Sequence, residues 1–269
     1  MNLMDINLRK YLQQNHNKLT WKEKIQIIDG IIYALSLIHQ ENAIHRDLHF
    51  GNMLFRQNEQ RFLISDLGFC GPADKPLNSI YGNLPYIAPE VIAGKETTFA
   101  SDIYSIGMLM WEISSEQSPF INYEHDYDFA IKIINGMRPK IVPGTPLEYE
   151  NLMKQCWDAD PTKRPDVNYL YDKIDEMCTS NYLNESKEIE SKEIKSKEIK
   201  SETNHILELN KTGSFETNNN VSNRLFTSKV YQFESFPEPK NATGGITFNN
   251  KLKQYFFGKK QKYINIIYK

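Results

Sequence analysis

The sequence predicts a mainly α domain with a small β element near its start, followed by a low-complexity tail. Three observations carry that reading. Residues 20–38 combine a helix-start signal with a helical apolar period. Residues 43–64 hold short apolar runs separated by Gly, Asn and Asp. The composition then changes near residue 180, where the periodic pattern stops.

The first long helix begins after Thr20, because Thr20-Trp21-Lys22-Glu23 has the spacing of a capping box. Ile25, Ile28, Ile32, Leu35 and Leu37/Ile38 follow at three- and four-residue steps and mark one apolar face. Ala43-Ile44, Met53-Leu54-Phe55 and Phe62-Leu63-Ile64 read as short strands with turns between them. Further helices are expected at 101–115, about 125–136, about 147–157 and about 166–178, the last approached through Pro161 and Pro165. This gives a domain over 1–180.

Ser186 to Lys200 is three consecutive five-residue units of the Ser-Lys-Glu-Ile type. Their isoleucines, Ile189, Ile194 and Ile199, advance about 140° each around a helix, so they form no continuous stripe. Residues 181–202 are therefore expected to be a solvated linker. Residues 203–269 are rich in Asn, Lys and aromatics without a period and are expected to be largely disordered. Lys251–Lys269 carries six lysines and no acid, interleaved with Tyr and Phe, which reads as a basic disordered tail more readily than as an RNA or membrane contact.

The charge balance argues against a nucleic-acid partner, since 32 basic and 34 acidic residues leave a formal net charge of −2. Cys70, Cys156 and Cys178 fit neither a disulfide framework nor a zinc site, and a reducing, cytoplasmic setting is expected. No basic n-region with an apolar stretch opens the chain, and no apolar run is long enough to span a bilayer. On that basis the sequons at Asn184, Asn210, Asn220 and Asn241 are read as chance in an Asn-rich chain.

The chemistry-bearing signal is His45-Arg46-Asp47-Leu48-His49-Phe50-Gly51-Asn52. Asp66-Leu67-Gly68 follows behind the apolar run 62–64, and Ala88-Pro89-Glu90 comes later. Each triplet alone is weak, since Asp and Asn are common turn residues. In this order they match the H-R-D-x-x-x-x-N, D-F-G and A-P-E signatures of protein kinases. From about residue 5 to 178 the chain resembles the C-terminal lobe of a eukaryotic protein kinase, most of all the tyrosine-kinase-like serine/threonine type. A helical kinase C-lobe fold and phosphoryl transfer from ATP to Ser or Thr of proteins are what the resemblance implies.

By the same resemblance, Asp47 accepts the substrate hydroxyl proton, with Arg46 and His49 beside it. Asn52 and Asp66 hold Mg²⁺, a hard cation that prefers oxygen ligands. Leu54 lies where the family places the floor beneath adenine. His45 is structural, as is Asp102, which anchors the catalytic-loop backbone, and Arg164 pairs with Glu90. Arg46 pairs with a phosphate on the segment 66–90, where Ser79 and Tyr81 are the hydroxyl candidates.

The chain also departs from the family pattern. Leu67 replaces Phe and is expected to keep an apolar plug. His49 stands where Lys is usual, and Asn83 where a Thr is usual beside the substrate. No Gly-x-Gly-x-x-Gly occurs, and the 44 residues before His45 already read as C-lobe helices. The Gly-rich loop, the strand lysine and the helix glutamate of the N-lobe are thus expected to be missing, and this chain alone is expected to bind Mg-ATP too weakly to measure. The partners expected are a protein substrate and an N-lobe-bearing chain. The alternative is a non-enzymatic pseudokinase remnant, a scaffold acting through a face around 124–137.

Overall fold

The computed structural model describes residues 6–56, 61–68, 70–72, 80–180, 228–231 and 236–241. The expected linker 181–202, the basic stretch 251–269 and Ser79 lie outside them.

The chain opens with β1 (Ile6–Asn7) and α1 (Leu8–Gln14), the latter capped by the Asn7 side chain. Helix α2 (Trp21–Gln40) starts on a complete capping box: Thr20 accepts from the Glu23 amide, and the Glu23 carboxylate accepts from the Thr20 amide at 2.7 Å. Its face of Ile25, Ile28, Ile31, Ile32 and Leu35 is buried. Strand β2 (Ala43–Ile44) follows, then the hairpin of β3 (Met53–Arg56) and β4 (Arg61–Ile64). β3 is the centre of an antiparallel sheet ordered β1-β3-β4, with Met53 opposite Ile64 and Phe55 opposite Phe62. β5 (Gly71–Pro72) pairs with β2. Next come β6 (Ile80–Gly82), the short α3 (Pro89–Ile92), α4 (Phe99–Ser115), α5 (Tyr127–Ile134), α6 (Leu147–Cys156) and a helix α7 over 167–180. The last strand among the described residues, β7 (Lys229–Tyr231), lies far along the chain and pairs antiparallel with β6.

Helix α4 is the hub. Every residue from Ser101 to Ser114 is buried, as expected for a helix packed on all sides. It meets α6 at Gly107, where an added Cβ would lie 2.9 Å from the Cys156 Cβ and 3.2 Å from the Trp157 amide nitrogen. Across that contact the Tyr149 hydroxyl donates to the Met110 carbonyl at 2.9 Å. Burial drives the Cys156 thiol far above its usual pKa, so it acts as a small core side chain. The expected helices fall within a residue or two of their bounds, α5 being two residues shorter at each end.

Candidate functional site

The site lies where the loop 45–52 meets the base of the β3–β4 hairpin. Its backbone is held from below by one buried carboxylate. Asp102, on the first turn of α4, accepts from the amides of His45 (2.8 Å) and Arg46 (2.9 Å). A third contact comes from His39 Nε2 at 2.9 Å, near the end of α2. These bonds fix Arg46 at φ +73°, a left-handed conformation that a non-glycine residue keeps only when its surroundings enforce it. His45 is fully buried; its Nδ1 accepts from the Asp47 amide at 3.3 Å, so its Nε2 donates to the Ser65 carbonyl at 3.1 Å.

Asp47 is 3% exposed. The Asn52 side-chain amide donates to the Asp47 carbonyl at 2.9 Å and lies 3.5 Å from Asp47 Oδ2. That orientation turns the Asn52 Oδ1 away from Asp47, as an oxygen ligand for a cation requires. Asp66 sits across the hairpin base, two residues after β4 ends. Ser65 is tied to the Asn52 carbonyl through its amide (2.8 Å) and hydroxyl (3.0 Å), so Asn52 and Asp66 flank one hairpin base. Asp66 is exposed and holds φ +61°. Among the described residues no group of three or more His, Cys, Asp or Glu side chains is placed to hold a metal. Two protein oxygens completed by phosphate and water suit Mg²⁺, which retains waters and binds through few carboxylates. Leu54 lies half-buried in the central strand of the sheet.

His49 and a residue from the far end of the chain complete the cluster. His49 Nδ1 accepts from the Gly51 amide at 3.0 Å, which leaves the proton on Nε2. That nitrogen lies 3.0 Å from the Ser228 hydroxyl and 3.6 Å from Asp47 Oδ2. The Ser228 hydroxyl in turn donates to Asp47 Oδ1 at 2.8 Å. Gly82, at φ +137°, passes close by: an added Cβ would stand 3.3 Å from Asp47 Oδ1. Tyr81 lies in β6; burial, and then the charges of Asp47 and Asp66, raise its phenol above the ordinary value.

One expectation reads differently in three dimensions. Leu67 is no plug: it is 55% exposed, because the left-handed turn at Asp66 carries the chain outward. Asn83 is buried at 2% exposure, and neither of its side-chain polar atoms has a partner among the described residues. Arg46 donates from Nε to the Thr97 hydroxyl at 3.2 Å. Arg164 and Glu90 stand away from the site and pair with each other. His39, Ser65 and Ser228 went unsingled in the sequence. His39 carried only its helical position, and nothing local marks Ser228.

The fold and the order of the motifs that contain Asp47, Asn52 and Asp66 are those of a protein kinase domain. The family model for protein tyrosine and serine/threonine kinases matches residues 1–174, and the chain belongs to that family. The chain is 31% identical over 171 residues to a dual serine/threonine and tyrosine protein kinase of Macaca mulatta, covering 61% of this chain and 19% of that one. It is 31% identical over 175 residues to a mimivirus protein that bears the name of a serine/threonine-protein kinase/receptor, covering 64% of this chain and 10% of that protein. The chain thus spans a fifth or less of the length of these relatives. No helix among the described residues is long and apolar enough to cross a membrane.

Proposed function

We propose that this chain carries the catalytic loop of a serine/threonine protein kinase, with Asp47 as the base that receives the acceptor hydroxyl's proton. The observation that supports it most is the Ser228 hydroxyl donating to Asp47 Oδ1 at 2.8 Å, within the reach a general base needs. An alcohol held on a buried carboxylate is the arrangement that transfer to Ser or Thr uses. Phosphoryl transfer asks a protein mainly for positioning and charge neutralisation. In this reading Asp47 orients the hydroxyl, His49 donates toward the same oxygen, and Asn52 with Asp66 holds Mg²⁺. ATP with Mg²⁺ supplies the phosphoryl group and screens its charge. Leu54 meets the adenine, and Arg46 is the counter-charge for a phosphate on the segment 66–90.

The Gly-rich loop and lysine that the family uses to grip ATP do not occur in these 269 residues, so transfer depends on an N-lobe supplied from outside them. The site of action is cytoplasmic, in keeping with three free thiols. The test is transfer of label from γ-labelled Mg-ATP to a generic protein substrate by this chain joined behind the N-lobe of a related kinase. Transfer is expected, and Asp47→Asn should reduce it by about 10²–10⁴-fold. Equal rates for the two proteins would remove Asp47 from the role.

A further inference from the structure

Residues 228–231 and 236–241 lie along the face of the lobe that surrounds Asp47, and their contacts run in one direction. Ser228 reaches the catalytic carboxylate and His49. β7 then pairs with β6 in antiparallel register, Lys229 opposite Gly82, Val230 opposite Tyr81 and Tyr231 opposite Ile80. Tyr231 is packed against the core, its phenol near the Leu84 backbone and pushed up to about 12 by burial. Further on, Phe236 stacks on Tyr127 of α5, with centroids 5.1 Å apart and planes 20° from parallel. The Lys240 amide donates to the Ile134 carbonyl at 2.8 Å, just where α5 ends. Asn241 closes the run: its Oδ1 accepts from the Ala159 amide at 2.7 Å, and its Nδ2 donates to Asp158 at 2.9 Å.

We propose that residues 228–231 and 236–241 together act as an intramolecular ligand of the protein-substrate groove, presenting Ser228 at the acceptor position and excluding other peptides. The proposal rests on the kinase reading for the word substrate, and on the contacts above for the occupancy. Backbone pairing along an exposed sheet edge supplies affinity without dictating sequence, while side-chain pockets supply selectivity. The groove therefore accepts an extended peptide with a Ser or Thr hydroxyl at Asp47, a Tyr three residues on, and an aromatic eight residues on that stacks on Tyr127. Tethering favours the chain's own segment over a free peptide of the same sequence, because its effective concentration is high. A phosphate on Ser228 would add about −1.5 to −2 charge against Asp47 and weaken the docking.

The test uses the full chain and a fluorescent peptide of residues 227–241, read by anisotropy without nucleotide. The variant Ser228→Glu/Phe236→Ala sets a carboxylate against Asp47 and removes the stack on Tyr127. It is expected to bind the peptide at least about tenfold more tightly than wild type. Exchange of the backbone amides of 80–82 should speed up in the same variant. A second variant, Val230→Pro, disrupts β7 at an exposed position outside the core and should behave alike if the first fails to fold. Equal peptide affinity in wild type and folded variants, or unchanged exchange at 80–82, overturns the proposal. Neither readout needs phosphoryl transfer, so a failed label assay would sink the kinase reading and leave this result standing.

Discussion

Arg164 and Glu90 form a buried bidentate ion pair, Nη1 to Oε1 at 2.7 Å and Nη2 to Oε2 at 2.6 Å. The guanidinium also reaches the carbonyls of Asp158 and Ala100, so it clamps the segment after α6 onto α3 and the start of α4. Both residues are less than a tenth exposed. Removing one partner strands the other charge in the interior, whatever the intact pair contributes on balance. Glu90→Ala and Arg164→Ala should each lose about 3–5 kcal/mol of stability, read by urea unfolding. A midpoint unchanged in either variant would show that water reaches the stranded charge.

Asp102 does comparable work for the loop 45–52. Its two oxygens satisfy the His45 and Arg46 amides and face His39. In Asp102→Ala both amides are left buried without an acceptor, at about 1–3 kcal/mol each. Stability should fall, and Arg46 should lose its left-handed conformation. Faster hydrogen exchange at the amides of 45 and 46 checks the local effect apart from the global one. Asp102→Asn keeps the shape but offers one acceptor oxygen in place of two, and should fall between wild type and Ala.

Gly107 tests the packing of α4 on α6. A methyl there meets the Cys156 Cβ at 2.9 Å and the Trp157 and Met153 backbone at 3.2 and 3.3 Å, and helix backbone cannot swing aside as a side-chain tip can. Gly107→Ala gains helix propensity yet should lose about 1–3 kcal/mol through overpacking. Combining it with Cys156→Gly removes the nearest obstructing atom. That pair should recover part of the loss in thermal melts, whereas simple additivity would mean the strain lies elsewhere.

Local signals carried most of what the sequence disclosed. The Thr20–Glu23 capping box is two side chains answering two amides three residues apart, so it is visible before folding. The loop and the hairpin base that carry Asp47, Asn52 and Asp66 were legible because they are short-range objects. Leu67 misled because its exposure follows from the φ of its neighbour Asp66, a backbone choice that the residue type does not announce. Ser228 was illegible for a different reason. It meets Asp47 across 181 positions of sequence, inside a region whose composition reads as tail. His39 sits between these cases: its helical face is readable, but its carboxylate partner lies 63 positions away.

Asp29 gives a pH dependence whose sign can be worked out. It lies half-buried on α2, its Oδ1 without a hydrogen-bond partner among the described residues. Burial, and then the nearby charge of Asp175, raises its pKa from 3.8 to about 6. The unfolded chain therefore ionises Asp29 before the folded protein does. Below about pH 4 both states hold the proton and no penalty exists; stability is lost as pH rises from about 4 to about 6, then stays level. His125 runs the other way: burial, and then Lys229, lowers its pKa from 6.5 to about 4, so it removes stability as pH falls through that window. The two slopes oppose each other in the wild-type curve, and the decisive quantity is the difference between variants. Asp29→Asn should be more stable than wild type at pH 7, with the advantage shrinking toward zero by about pH 4. Melting temperatures of the two proteins from pH 4 to 8 give that difference directly, and a gap independent of pH would show that Asp29 ionises alike in both states.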